Sequence, residues 1–418
     1  MLKFVIIADD LTGSLDTGVQ FTKKNIPTLV ITDLQFELSS IPKNIEAVVI
    51  DTESRHIDGN EAKKLIKSIT EKFKNSFIKY FYKKIDSTFR GNVGKEIEGF
   101  MEGLGTRALA LVPAFPDSKR IVKDGILYVN GQKITETAFA KDILNPITDD
   151  YIPDILRKNT DLNIIEHFKD TLEYSGNKVY LFDSTSKEDM LQIQEELFNK
   201  NLLTYTAGSA GFAEILAEHL ANKEAHLDID IKTEDILFVC GSVNATSLRQ
   251  CKHAQEKGFP SVTLEFSHIT SDNYSNNSDF LDDKNFLSEK IAKNKYLLIR
   301  TSNSDRVIED AIKYTKENNI KMETLTKNIS RNTGKLIKEL VIKNEVQNLI
   351  VFGGDTLMGI LNALECTSII PIKEISSGVV FARVICKYQN FNIITKAGGF
   401  GEENIIEEII KFIRKHKN

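Results

Sequence analysis

No excess of positive charge marks this chain: 54 lysines and arginines face 59 acidic residues, for a net charge of −5. That balance argues against a nucleic-acid partner and against binding to an anionic membrane surface. No apolar run approaches the ~20 residues that span a bilayer. The opening stretch meets Asp9 and Asp10 too soon for the apolar region of a signal peptide, so a cytoplasmic protein is expected. The four cysteines, Cys240, Cys251, Cys366 and Cys386, share no CxxC spacing and are expected as reduced thiols. The seven histidines form neither HxH nor HExxH, which argues against a histidine-built zinc site. Familiar nucleotide and hydrolase motifs are missing too. Gly334-Lys335 has Ile329 where a Walker A glycine should stand and Leu336 where Ser or Thr should follow. No GxGxxG follows the first apolar run, and no GxSxG occurs.

What is present is an ordinary globular composition, 41% apolar and 27% charged, over 418 residues. That is longer than one core usually supports, so two domains are expected. In the first half, short apolar runs at 3–8, 28–32, 45–50, 77–83, 107–112, 178–182 and 203–206 alternate with helical periods. The helical periods fall near 14–24, 60–74, 92–103, 186–199 and 209–220. Such alternation predicts a mostly parallel sheet with helices on both faces. Asp124-Gly125 and Asn130-Gly131 around a short apolar run predict a β-hairpin, followed by a loop over 134–152. The polar stretch between Leu220 and Asp235 reads as a linker, separating residues 1–222 from residues 235–418. Beyond it, runs at 236–240, 261–265, 295–301 and 348–352 predict a second α/β sheet, with a last helix over 402–416.

The chemistry-bearing residues sit where strands end. Asn348–Phe352 runs through Gly353-Gly354 into Asp355, Thr356 and an apolar-periodic helix. A helix start of this kind bares backbone N–H groups and favours an anion such as a phosphate. Its plainer reading is a tight turn with Asp355 as the helix cap. Gly241-Ser242 with Asn244, Thr246 and Ser247, and Lys396-Ala397-Gly398-Gly399, are two more junctions of the same type. In the first half, Asp9, Asp10 and Asp16 crowd one strand end. Carboxylates so close repel one another unless a cation or a hydroxyl-rich ligand lies between them. After the strand at 77–83 come Lys84, Asp86, Ser87, Thr88 and Arg90. Lys84 and Arg90 could hold a carboxylate, and Asp86, Ser87 and Thr88 could bond sugar hydroxyls. A solvated loop with internal ion pairs is the simpler alternative.

Taken together, these motifs resemble the four-carbon acid sugar kinase family, formerly a domain-of-unknown-function family. The resemblance rests on Ala8-Asp-Asp-Leu-Thr-Gly13 with Asp16, Lys84-Ile-Asp-Ser-Thr-Phe-Arg-Gly91, Pro113-Ala-Phe-Pro116 and Gly208-Ser-Ala-Gly211. It continues through Gly241-Ser242, Gly353-Gly-Asp-Thr356, Ser377-Gly-Val-Val380 and Lys396 to Gly401. It departs at Lys119, where the family pattern has glycine, at Ala397-Gly398-Gly399 in place of Ser-Gly-Asn, and at Asp355 in place of Glu. The resemblance implies two α/β domains, each with a mostly parallel sheet flanked by helices, and an active site in the interdomain cleft. It also implies an ATP-dependent kinase, using Mg2+, that phosphorylates a hydroxyl of a four-carbon acid such as erythronate, threonate or a 3-oxo-tetronate.

Asp9, Asp10, Asp16, Lys84, Asp86, Ser87 and Arg90 would then bind the acid. Ser242, Asn244, Ser247, Gly353, Gly354, Asp355, Thr356, Gly398 and Gly399 would bind the nucleotide. Asp86 and Asp355 are the catalytic candidates, with the base and any metal ligand left open between them. A homodimer is the expected assembly. The competing readings are a sugar-acid or nucleotide sensor without turnover, and a metal-dependent sugar-acid dehydratase or epimerase.

Overall fold

The computed structural model describes residues 1–418 except 75, 142–145, 159, 167–177, 222–228, 230, 303–305, 345 and 418. The chain forms two compact units, Met1–His226 and Leu227–Asn418. Much of the expected linker between Leu220 and Asp235 lies outside the described residues.

The first unit begins with β1 (Phe4–Ala8), α1 (Leu11–Thr22), β2 (Thr28–Ile31), β3 (Ala47–Asp51) and α2 (Gly59–Glu71). It continues with β4 (Tyr80–Lys84), α3 (Val93–Leu104), β5 (Ala108–Val112), β6 (Arg120–Lys123), β7 (Ile126–Val129) and β8 (Gln132–Lys133). It closes with α4 (Ile152–Arg157), β9 (Asn163–Glu166), β10 (Lys178–Leu181), α5 (Lys187–Asn199), β11 (Tyr205–Gly208) and α6 (Ala210–His219). Its main strands run β2-β3-β1-β4-β11-β5-β10-β9, all parallel. All five residues of β1 are buried, as a central parallel strand covered on both faces requires. Phe4 anchors this core between Phe21 of α1 and Tyr80 of β4, both with ring centroids 4.8 Å away.

From β1 the chain crosses to the outer strand β2 and returns to β3 between them, whereas β4 lies on the other side of β1. The order therefore reverses at β1, and the carboxyl ends of strands beside such a reversal form a ligand crevice. The expected hairpin is present as the antiparallel set β6-β7-β8. The tract predicted as loop contains short 3-10 turns at Ile134–Glu136 and Ala138–Lys141, and then α4. Lys119 enters β6 with φ 56°, a left-handed conformation that costs a residue with a Cβ and suits glycine. The glycine of the family pattern thus has a conformational reason.

The second unit comprises β12 (Ile236–Cys240), α7 (Ala245–Glu256), β13 (Ser261–Thr263), α8 (Phe266–Thr270), α9 (Ser278–Lys293) and β14 (Tyr296–Arg300). Next come α10 (Val307–Glu317), α11 (Met322–Lys343), β15 (Asn348–Phe352) and α12 (Gly354–Ala363). Last are β16 (Cys366–Ser376), β17 (Val379–Cys386), β18 (Phe391–Lys396) and α13 (Ile405–Lys415). Its strand order is β13-β14-β12-β15-β18-β17-β16, with parallel pairing from β13 to β18. β17 pairs antiparallel with β18 and with β16. Here the order reverses between β12 and β15, which places Gly241-Ser242 and Gly353-Gly354 at a second crevice. Fully buried Phe238, Phe381, Ile405 and Ile409 pack in the core beneath it.

The antiparallel β16–β17 pair went unread in the sequence, and it corrects the cysteine expectation. Cys366 and Cys386 are register partners across that pair and form a disulfide, while Cys240 and Cys251 are buried free thiols. The two are 20 residues apart in sequence, so only strand pairing reveals that they are neighbours. The disulfide also removes the support that four thiols gave to a cytoplasmic location. Among the described residues, no helix is long and apolar enough to cross a membrane.

Candidate active site

At the first crevice, the acids that follow β1 and β4 converge on one arginine absent from the expected set. Arg55 follows β3 in the run Asp51-Thr-Glu-Ser-Arg55 and is 8% exposed. Its Nε donates to Asp9 Oδ2 at 2.7 Å, its Nη1 donates to Asp10 Oδ2 at 2.7 Å, and its Nη2 lies 3.7 Å from Asp86 Oδ1. Asp10 also caps α1 by accepting from the Gly13 amide at 2.9 Å, and Glu53 accepts from the Leu11 amide at 3.0 Å. Asp10 thus holds a helix start as well as a cation, and Glu53 holds the same helix start.

Asp86 is the most heavily engaged of these groups. Arg90 donates to it from Nε at 2.8 Å and Nη2 at 3.1 Å, and Thr88 Oγ1 donates to it at 2.5 Å. Burial alone would raise its pKa, but Arg90, Arg55 and Thr88 outweigh burial and hold the carboxyl well below its usual range. The fork of Arg90 is therefore already occupied inside the protein. Of the alternative, a solvated loop with internal ion pairs, the Asp86–Arg90 pair is present but the solvation is not, because Asp86, Thr88 and Lys84 are all buried.

Two further lysines and one arginine complete the basin. Lys83 Nζ pairs with Glu96 at 2.8 Å with both side chains enclosed, and Lys84 Nζ donates to the Ile85 carbonyl at 2.8 Å. Arg120, brought in by β6, feels the charges of Asp86, Asp16 and Arg90, and burial pushes its pKa down. Asp16 is half-buried on α1, and Ser87 is half-buried in the turn after β4. Gly91 permits the turn that closes over Arg55: its φ is 83°, and a Cβ there would lie 2.7 Å from Arg55 Cγ.

Asp51 is the odd member. It is 2% exposed and pairs with Ala8 in the strand register, and its carboxyl makes no hydrogen bond of good geometry. Burial pushes its pKa well above the usual range, and Glu53, Asp10 and Asp9 push it the same way. A pKa raised above the unfolded value of ~3.9 means that the native state keeps a proton the unfolded chain releases. Stability is therefore lost as pH rises above that value, by about 1.4 kcal/mol per pH unit until the folded pKa is reached. Asp51→Asn removes this slope. Its advantage in thermal midpoint over the wild type is expected to widen over the range above the unfolded value in which the folded protein keeps Asp51 protonated. A difference that stays constant across that range in thermal melts would contradict a neutral Asp51.

In the second unit, the residues expected around a nucleotide do come together. Gly353 has φ 111° and caps α12 without any side-chain hydrogen bond, so the N–H groups of the first turn remain bare. The plainer reading of Asp355 as the cap therefore does not hold; Asp355 is an exposed residue of that first turn. A Cβ on Gly353 would lie 3.2 Å from the Ser242 amide, and one on Gly241 would strike Thr356 Oγ1. Asn244 does cap α7, accepting from the Thr246 amide at 2.9 Å. Ser247 Oγ donates to the Gly398 carbonyl at 2.9 Å, and the Cα positions of Gly398 and Gly399 face Asn244. Lys396 and Gln250, outside the expected set, lie beneath this cluster. Lys396 was legible as the polar end of the run before Gly398, whereas Arg55 lies four residues past the end of β3 and carries no such local signal.

Two family models match the chain. A sugar-binding N-terminal domain matches residues 4–216, and a nucleotide-binding C-terminal domain matches residues 237–406. The chain is 25% identical to D-threonate kinase of Salmonella typhimurium over 99% of each chain. It is 24% identical to D-erythronate kinase of Heliobacterium modesticaldum, over 97% of this chain and 95% of the relative. It is 22% identical to 3-oxo-tetronate kinase of Brucella melitensis, over 98% of this chain and 95% of that one. Among solved structures, a Salmonella typhimurium protein described as a putative tRNA synthase aligns with a TM-score of 0.78 at 21% identity, covering 98% of this chain and 99% of its own. A Haemophilus influenzae protein aligns at 0.69 and 19% identity, covering 98% and 100%. These two share the fold.

Proposed function

The chain belongs to the family built from a sugar-binding N-terminal domain and a nucleotide-binding C-terminal domain, and from that premise we propose that it is an ATP-dependent kinase of four-carbon sugar acids. Its relatives over nearly the full length are named for kinases of threonate, erythronate and 3-oxo-tetronate. The observation that supports the reading most directly is the mixed-charge basin of the first unit. Buried and half-buried carboxylates and guanidiniums gather around Asp86. A polyhydroxylated acid needs both, acceptors for its hydroxyls and cations for its carboxylate.

In this reading Asp9, Asp10, Asp16, Lys84, Asp86, Ser87 and Arg90 surround the acid, and Arg120 adds a cation to them. The bare amides of α12, with Ser242, Asn244, Ser247, Gly353, Gly354, Thr356, Gly398 and Gly399, take the nucleotide. Among the described residues, no group of three or more His, Cys, Asp or Glu could hold a metal ion. Magnesium would accordingly arrive on the phosphates, its usual manner of binding, with Asp355 available beside them. There it would neutralise charge on the transferring group.

A coupled assay of ADP release across erythronate, threonate and 3-oxo-tetronate stereoisomers tests this function. Release that depends on both ATP and one of the acids is expected. ATP binding without turnover on any acid would favour the sensor reading. Turnover of an acid without nucleotide would favour a dehydratase or epimerase.

A further inference from the structure

Lys396 ends β18, is 2% exposed, and lies 4.9 Å from the centroid of the Phe352 ring. Its Nζ donates to Ser247 Oγ at 2.8 Å, to Gln250 Oε1 at 2.7 Å and to the Gly398 carbonyl at 3.0 Å. Three acceptors match the three donors of an ammonium group; a neutral amine would leave one of them unserved. Gln250 extends the network. Its Nε2 lies 3.1 Å from the Phe400 carbonyl, 2.8 Å from that of Gly401 and 2.9 Å from that of Glu402. The loop from Ala397 to Glu402 is thus tied to α7 through one lysine, one glutamine and Ser247. The same loop carries Gly398 and Gly399, and the same helix starts at Asn244.

We propose that Lys396, acting with Gln250, is a positioning residue for the nucleotide: it fastens the glycine loop to α7 so that Gly398, Gly399, Ser242 and Asn244 present one preformed surface to ATP. This inference rests on the kinase reading and deepens it, since it assigns the fit of the nucleotide to a side chain too deeply buried to be its principal contact. A preformed surface spares the ordering that binding would otherwise require.

The charge on Lys396 gives the proposal a signature that simple packing lacks. Burial pushes its pKa down to about 8. The titratable groups facing it are the Cys240 thiol at the end of β12 and the Cys251 thiol on α7, with the Arg300 guanidinium from β14 close to both thiols. Deprotonation removes the third donor, so the fastening weakens as pH rises through that value.

The test measures ATP affinity by calorimetry and, separately, the KM values for ATP and for the acid, on the full chain. Lys396→Met is expected to weaken ATP binding by about tenfold or more, the loss that goes with charge-assisted hydrogen bonds, while the KM for the acid stays within about twofold. Wild-type ATP affinity is expected to fall as pH rises past about 8, and to be flat in Lys396→Met. If that variant does not fold, Gln250→Leu and the wild-type pH profile carry the same expectation. Wild-type ATP binding that a folded Lys396→Met or Gln250→Leu leaves unchanged, or that is flat through pH 8, overturns this proposal alone. No ATP binding by the wild type overturns it together with the kinase reading.

Discussion

Arg55→Met is expected to abolish acid-dependent ADP release and to lower the melting temperature by roughly 10 °C. The reason is the company Arg55 keeps: it contacts buried Asp9 and half-buried Asp10 at 2.7 Å and approaches buried Asp86 at 3.7 Å. Burial disfavours the arginine's charge, yet Asp10, Asp9 and Asp86 hold it more firmly protonated than in water. Removing one partner of such a cluster leaves buried carboxylates without compensation, which costs about 3–5 kcal/mol. The loss has a pH sign as well. Asp9 is held below its usual range, burial being outweighed by Arg55, Lys84 and Lys83. A depressed carboxylate contributes stability that is present above its unfolded pKa and lost as pH falls through its folded one. Without Arg55 that contribution shrinks, so the gap in melting temperature from the wild type should narrow on acidification. A variant that melts within a degree or two of the wild type and still turns over would show that the cluster is dispensable.

The second large effect separates the two catalytic candidates. A general base must accept a proton, and Asp86 is poorly suited to do so with Arg90, Arg55 and Thr88 all stabilising its ionised form. Asp355 stands exposed in the first turn of α12, beside the bare amides expected to hold phosphate. Asp355→Asn is therefore expected to lower kcat by about 10²–10⁴-fold, the usual worth of a positioned base, with the KM for ATP changed little. Asp86→Asn should also abolish turnover, but by a different route. It takes from Arg90 its carboxylate partner and from Arg55 the most distant of its three, so the melting temperature should fall and binding of the acid should weaken together. Steady-state kinetics with melts on both variants decide the matter. Near-native kcat in Asp355→Asn would remove Asp355 from the chemistry.

How far the sequence could be read followed from how local each signal is. β1, β12 and β15 are short apolar runs ending at polar or glycine residues, and their burial follows from that pattern alone. The Asp124-Gly125 and Asn130-Gly131 turns likewise specify their own hairpin. β16 was missed because polar residues and Pro371 interrupt its apolar positions, and β17, though apolar from Val379 to Ala382, has an antiparallel partner that only pairing sets. The Cys366–Cys386 disulfide was missed for the same reason. Asp10 and Asn244 were expected at the site, and both turned out to cap helices as well; one side chain can do both, because a cap needs only one carboxylate or amide oxygen.

By itself, then, the sequence settled the α/β alternation and the family, since each depends on residues near one another along the chain. It also placed Asp9, Asp86, Gly353 and Gly398 at strand ends. Only the tertiary structure decided which charges are neutralised. Arg55, Asp51 and Lys396 are ordinary polar residues in one dimension. The reversals of strand order at β1 and between β12 and β15 carry them into enclosed places, where a charge must find a partner, and that is a property of neighbours no local spacing records.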